Sequence, residues 1–278
     1  MAFTIEAFLD SLALKEVSAG RYMADNIDTG HFVVFGGQLM AQSIAAAQLG
    51  QEGKSVKTLH TVFARAGSPA KPVEIAVERG HSGRTLASST VTISQGEKVC
   101  TRSMVLLSAD EPDFIRHSDR PERPSVPQAA VSRRRQDNVG WEVRVVDGAD
   151  IDDPAAVGPA RLDIWTRFTD APTDPATARA LLAYASDGFL IGTAMRPHEG
   201  VGQALSHKTI SSGVLSHTIN FHEPFSAAEW FLMSHTSPYA GRGRSFGRAD
   251  VFAENGRLLA SFAQDSMIRA MPDGAGGL

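Results

Sequence analysis

Cysteine occurs once in the 278 residues, as Cys100. One thiol excludes an internal disulfide and any metal site built on several cysteines, and strand-like neighbours make Cys100 a small buried hydrophobe rather than a nucleophile. Basic excess is lacking too: the net charge is −4, whereas a nucleic-acid binder shows a dominant basic face. The one basic run, Arg133-Arg134-Arg135, reads as a solvated linker surface. No apolar run approaches membrane-spanning length. The opening residues, Met1-Ala2-Phe3-Thr4-Ile5-Glu6, have neither the basic region nor the apolar core of a secretion signal, and the closing Gly276-Gly277-Leu278 is no peroxisomal Ser-Lys-Leu tail. These absences give the expectation of a cytoplasmic protein with neither a membrane nor a nucleic-acid partner.

Several catalytic signatures are missing as well. Gly80-His81-Ser82-Gly83 lacks the spacing of a nucleophile elbow. After Gly241 and Gly243, Phe246 stands where a dinucleotide fingerprint needs its third glycine. Nine histidines are scattered without a zinc pattern. Neither a cofactor nor a metal is expected.

What the chain does contain is a repeat. Gly83 to Ala109 returns in degenerate form as Gly243 to Arg269, most clearly in Gly83-Arg84-Thr85-Leu86-Ala87 against Gly243-Arg244-Ser245-Phe246-Gly247. Each copy breaks at a glycine placed the same distance on, Gly96 in one and Gly256 in the other, and resumes a strand-like run. Both therefore read as hairpins turning at Gln95-Gly96 and Asn255-Gly256, the latter a strong turn signal. Upstream, Thr58 to Arg65 parallels Ser216 to Glu223, and Val73 to Arg79 parallels Trp230 to His235. A unit of one helix and several antiparallel strands thus occurs twice, and units of this size gain by pairing side by side.

In chain order, residues 4 to 14 predict an amphipathic helix and residues 17 to 24 a first strand. Gly36-Gly37 opens a helix to Gly50 with no Asp or Glu in it, rich in small residues that let a sheet wrap closely. The glycine pair is read as tight packing, with approach of a ligand to the backbone amides the other reading. Strands are expected over 58 to 64, 73 to 79, 85 to 94 and 99 to 107. Residues 109 to 138, with Pro112, Pro121, Pro124 and Pro127, read as a linker. Beyond it, strands are expected over 141 to 146 and 161 to 169. Asp174-Pro175 then gives a helix its N-cap and first residue, and Leu190 and Ile191 allow that helix to continue past Gly188.

Three places bear chemistry. Asp187 lies at the end of the second helix, where a carboxylate needs either a local capping role at Gly188 or a catalytic reason. Gln264 sits mid-strand on one face with Phe262 and Ser266 by period two, although a strand glutamine is commonly solvated. On the strand ending at His222, alternation puts Val214, Ser216, Thr218, Asn220 and His222 on one polar face, which either meets solvent or lines a site.

In order along the chain, Val34-Phe35-Gly36-Gly37-Gln38, the Gly83 hairpin, Tyr184-Ala185-Ser186-Asp187, Arg196-Pro197-His198, Phe221-His222-Glu223-Pro224-Phe225 with Glu229-Trp230, and Ala263-Gln264-Asp265 resemble the acyl-CoA thioesterase II (TesB-type) family. The resemblance implies an α+β double hotdog, two helix-wrapped antiparallel sheets fused in one chain, with an N-terminal unit at 1–110, a linker at 111–140 and a C-terminal unit at 141–278. It implies acyl-CoA as substrate, an acyl groove between the halves and one site per chain, hydrolysing the thioester with water held by an aspartate, a Ser or Thr, and a glutamine. Asp187 and Gln264 match the first and last of these. Ungapped alignment puts Val214 where the family has its hydroxyl, so Ser216, two residues on and expected on the same face, is the candidate for that role. Val214 also supports an alternative, a weakly active or non-catalytic acyl-CoA or lipid-binding protein. A homo-oligomer is compatible with either.

Overall fold

A computed structural model describes residues 3–28, 30, 32–118, 125–126 and 138–271. Pro121, Pro124, Pro127, Arg133 to Arg135 and the tail Gly276-Gly277-Leu278 lie outside them. After helix α1 (Ile5–Ser11) come strands β1 (Lys15–Ser18) and β2 (Arg21–Ala24), helix α2 (Gly36–Gln48), and strands β3 (Ser55–Phe63), β4 (Val73–Ser82), β5 (Leu86–Gln95) and β6 (Lys98–Ser108). The second half runs β7 (Glu142–Val145), β8 (Arg161–Arg167), α3 (Pro175–Ser186), α4 (Leu190–Met195), β9 (Ile210–Phe221), β10 (Phe231–Gly241), β11 (Arg244–Ala253) and β12 (Leu258–Ala270).

The twelve strands among the described residues form one sheet in the order β1-β2-β4-β5-β6-β3-β9-β12-β11-β10-β8-β7, with every pairing antiparallel. Read outward from the centre, β3-β6-β5-β4 on one side is matched by β9-β12-β11-β10 on the other. The repeat therefore folds into two similar half-sheets joined edge to edge, and the joint is the β3–β9 ladder from Thr58↔Asn220 to Val62↔Ser216. Gly96 (φ 59°) and Gly256 (φ 99°) close the two repeated hairpins in left-handed backbone that glycine adopts without steric cost.

The helices lie on one face. Helix α2 is buried along almost its whole length and packs on α3 and on β3 to β6, as its small, carboxylate-free sequence requires. Helix α3 begins as expected, with the Asp174 side chain accepting from Thr177 N–H and Pro175 in the first turn. It stops sooner than expected. The helical run breaks at Asp187 and Gly188 and restarts as α4, whose Leu190 fills the space above Gly247 and which packs on β8, β10, β11 and β12. The expected first strand over residues 17 to 24 is likewise two strands, divided by a turn at Gly20 (φ 69°).

The N-terminal segment crosses to the other half. Phe3 packs against Trp141, Phe168 and Tyr184 at ring-centroid distances of 5.2, 5.7 and 5.2 Å. Thr4 bridges to Val139, and Phe3 N–H donates to Asn138 Oδ1. Aromatic pairs of this kind add about 0.5–1.5 kcal/mol each beyond their burial, so the two halves share one core.

Candidate active site

The first turn of α2 has free backbone N–H groups, and its N-cap, Phe35, has no side chain able to satisfy them. The other half supplies the partner. Asp187, the C-cap of α3, accepts from Gly37 N–H through Oδ2 at 2.9 Å. Two glycines make this approach possible: a Cβ on Gly37 would stand 2.5 Å from the Tyr184 carbonyl oxygen, and one on Gly36 would stand 2.6 Å from Asp187 Oδ2. The glycine pair thus serves tight packing, and Asp187 caps the opposite half rather than its own turn.

Asp187 keeps part of its residue surface exposed, but its carboxyl is enclosed. Burial pushes the carboxyl up to about 7, with the Gly37 hydrogen bond pulling the other way. Such a group is a mixture of acid and base at neutral pH, the range in which a general base works best.

Gln264 is 1% exposed and bonded on both sides. Its Oε1 lies 3.0 Å from His217 Nδ1, and its Nε2 donates to Ser266 Oγ at 2.8 Å. An amide oxygen only accepts, so His217 Nδ1 carries the hydrogen. Burial lowers the His217 pKa to about 4, leaving the ring neutral, and its Nε2 lies 3.0 Å from Ser186 Oγ. Ser186 precedes Asp187 in the chain, so this network joins Gln264 to the turn that carries the carboxylate. Phe262, Gln264 and Ser266 share the buried face, as alternation requires.

Alternation fails on β9. The β12–β9 ladder pairs Gln264↔His217 and Asp265↔Ser216, then slips so that Ser266 faces Val214. The extra residue is a β-bulge, and it turns Val214 inward with His217, Ile219 and Phe221. Val214 Cγ1 would lie 3.2 Å from a Cβ on Gly36, beside Asp187 Oδ2 and Phe63. Ser216 goes the other way, donating to Asp265 Oδ2 at 3.1 Å on the outer face. The common face expected for Val214 and Ser216 is thereby corrected: Asp187, Gln264 and Val214 are brought to one side, and Ser216 is not among them. Thr218 and Asn220 also face outward, meeting His60 Nδ1 at 2.7 Å and Thr58 Oγ1 at 3.0 Å across the central joint.

His217, Ser186 and Ser266 were not singled out by sequence reasoning as site residues. The available signal was Ser266 itself, two residues from Gln264 on the same face. A separate surface cleft, lined by Arg116, His222, Glu223 and Arg257 among others, contains none of these residues.

Comparison with known proteins places the whole chain in a family. Residues 23–108 match the acyl-CoA thioesterase N-terminal domain and residues 111–268 the acyl-CoA thioesterase C-terminal domain. The chain is 28% identical over 267 residues to acyl-coenzyme A thioesterase 8 of Mus musculus, covering 86% of this chain and 81% of that one. It is 24% identical over 293 residues to acyl-CoA thioesterase 2 of Haemophilus influenzae, covering 97% and 99%. Its fold superposes on the crystal structure of an acyl-CoA thioesterase II from Mycobacterium marinum with a TM-score of 0.79 and 26% identity, over 96% of this chain and 98% of that one. With both halves matched in order and most of the chain covered, the chain belongs to the acyl-CoA thioesterase family and is a thioester hydrolase.

Proposed function

We propose that the protein converts acyl-CoA to free acid and CoA by direct attack of a water that Asp187 deprotonates and Gln264 orients. The observation that carries this reading is the enclosed Asp187 carboxyl, raised to about 7 and held at Oδ2 by Gly37. Among the described residues that is its side-chain partner, so Oδ1 is the oxygen offered to water. Gln264 has one amide hydrogen on Ser266 and one left for the water's lone pair.

The carboxylate takes one proton as the water oxygen bonds to the thioester carbon. The tetrahedral intermediate then expels the sulfur, and the departing thiolate receives the proton held by Asp187. Carboxylate is restored, and the step requires no covalent enzyme intermediate. A cytoplasmic location belongs to the same reading, supported by the solitary cysteine. No helix among the described residues is long and apolar enough to cross a membrane.

A second reading has one specific observation behind it: Val214 turns an apolar side chain into the site, as a protein that binds acyl-CoA without cleaving it would tolerate. Release of free thiol from a panel of acyl-CoA chain lengths separates the two. Turnover is expected, with a loss of about a hundredfold or more in Asp187→Asn. Binding without thiol release would establish the second reading, and full turnover in folded Asp187→Asn would move the base elsewhere.

A further inference from the structure

A water losing one proton to Asp187 must also have its second hydrogen and one lone pair held, so that the other lone pair points at the carbonyl carbon. Gln264 supplies the donor. Val214, which reaches Gly36 beside the carboxylate, offers no acceptor. Its partner directly across the ladder is Ser266, and facing residues on neighbouring strands have Cβ atoms roughly 4.5–5.5 Å apart.

Ser266 is 1% exposed and is held by the same amide that orients the water. The amide itself is fixed by a neutral, fully buried His217, which is met from its far side by Ser186. Every polar group in this network is buried, and Ser186 Oγ at its far end lies within reach of both His217 Nε2, at 3.0 Å, and the Ala183 carbonyl oxygen, at 2.9 Å. Ser266 Oγ accepts one hydrogen from Gln264 and has a second lone pair.

The geometry points to Ser266 as the hydroxyl of the catalytic site, supplied from β12 in place of the valine on β9. Its free lone pair takes the second hydrogen of the water, Gln264 donates to the water oxygen, and Asp187 takes the reacting proton. The slipped register makes the exchange possible: it sets Ser266 and Val214 opposite each other and removes Ser216 to the outer face. The hydroxyl stands on one strand and the apolar side chain on the other, so the two sites for a hydroxyl differ by one step across the ladder. This assignment rests on Asp187 being the base.

The test uses the full chain and thiol release from acyl-CoA, with kcat and KM measured separately. Ser266→Ala is expected to lower kcat about tenfold to a hundredfold with little change in KM. Adding Val214→Thr, which is close to isosteric, is expected to restore much of that loss by returning a hydroxyl to the facing position, a rescue that a purely structural role for Ser266 would not show. Where Ser266→Ala fails to fold, Ser266→Cys in the same assay keeps the shape with a poorer acceptor and is expected to lose kcat in the same direction. Turnover within about twofold of wild type in folded Ser266→Ala, or a loss that Val214→Thr leaves in place, would overturn the assignment. Asp187→Asn run in parallel separates the failures. If it is inactive while Ser266→Ala is silent, only the serine is misassigned, whereas an active Asp187→Asn removes the base on which both rest.

Discussion

A carboxylate at a helix end costs free energy when it is enclosed, and Asp187 shows how that cost is offset and used. The Gly37 N–H and the positive end of α2 favour its charge, yet burial prevails and holds the pKa near 7. Relative to an unfolded aspartate at 3.8, the folded state binds the proton more tightly. Its stabilising contribution is therefore complete below about pH 4 and is lost as pH rises through 7. An asparagine side chain in its place would keep the acceptor for Gly37 without a charge to desolvate. Asp187→Asn is thus expected to be catalytically poor but more stable than wild type at pH 8, with its advantage growing by roughly 2 to 4 kcal/mol between pH 4 and pH 8. Denaturant unfolding at both pH values checks this, and a pH-independent difference would mean that the carboxyl is solvated.

Elements decide how closely the two halves approach. Helix α2 can bring the Gly37 N–H to Asp187 only because residue 37 has no Cβ. Gly37→Ala would press a methyl against the Tyr184 backbone oxygen, and backbone cannot swing aside as a side chain can. A loss of about 1–3 kcal/mol is expected, with a drop in turnover as Gly37 N–H withdraws from the carboxylate. Thermal melting and kcat together check it, and wild-type values for both would show that the helices have room to spare. The same scale explains what was legible in the sequence. The two hairpins could be read because Gly96 and Gly256 sit where left-handed backbone is needed, and Gln264 could be placed because β12 keeps strict alternation through Phe262, Gln264 and Ser266. The bulge beside Leu215 could not, since period-two reading assumes that no residue is inserted, and that one slip turned Ser216 to the outer face. The break at Gly188 was hidden for a related reason: Leu190 and Ile191 keep helical spacing across it.

At the scale of the molecule the proposed site belongs to neither half. Asp187, Gln264 and Ser266 come from the second, while Gly36, Gly37 and Phe63, which close around the carboxylate, come from the first. Phe3 ties the start of the chain to Trp141, Phe168 and Tyr184 in the second half, and β3 completes the edge of β9. Residues 138–278 produced alone are therefore expected to give no more than about one per cent of wild-type turnover, on the scale of a lost catalytic arrangement. Co-production with residues 1–118 is expected to restore much of it. Thiol release from purified halves and from the pair decides the matter, and full activity in the second half alone would show that the first contributes nothing to the site.

In the proposed reaction a buried carboxylate at residue 187 takes the proton from the attacking water. The most direct measurement is the pH dependence of kcat for thiol release by the intact protein, compared with Asp187→Asn. The base acts only when ionised, so wild-type kcat should rise with pH through about 7 and level off above it, while the variant stays about a hundredfold or more below that plateau. A wild-type profile flat across pH 6 to 8, or a variant that keeps the same rise, would contradict it.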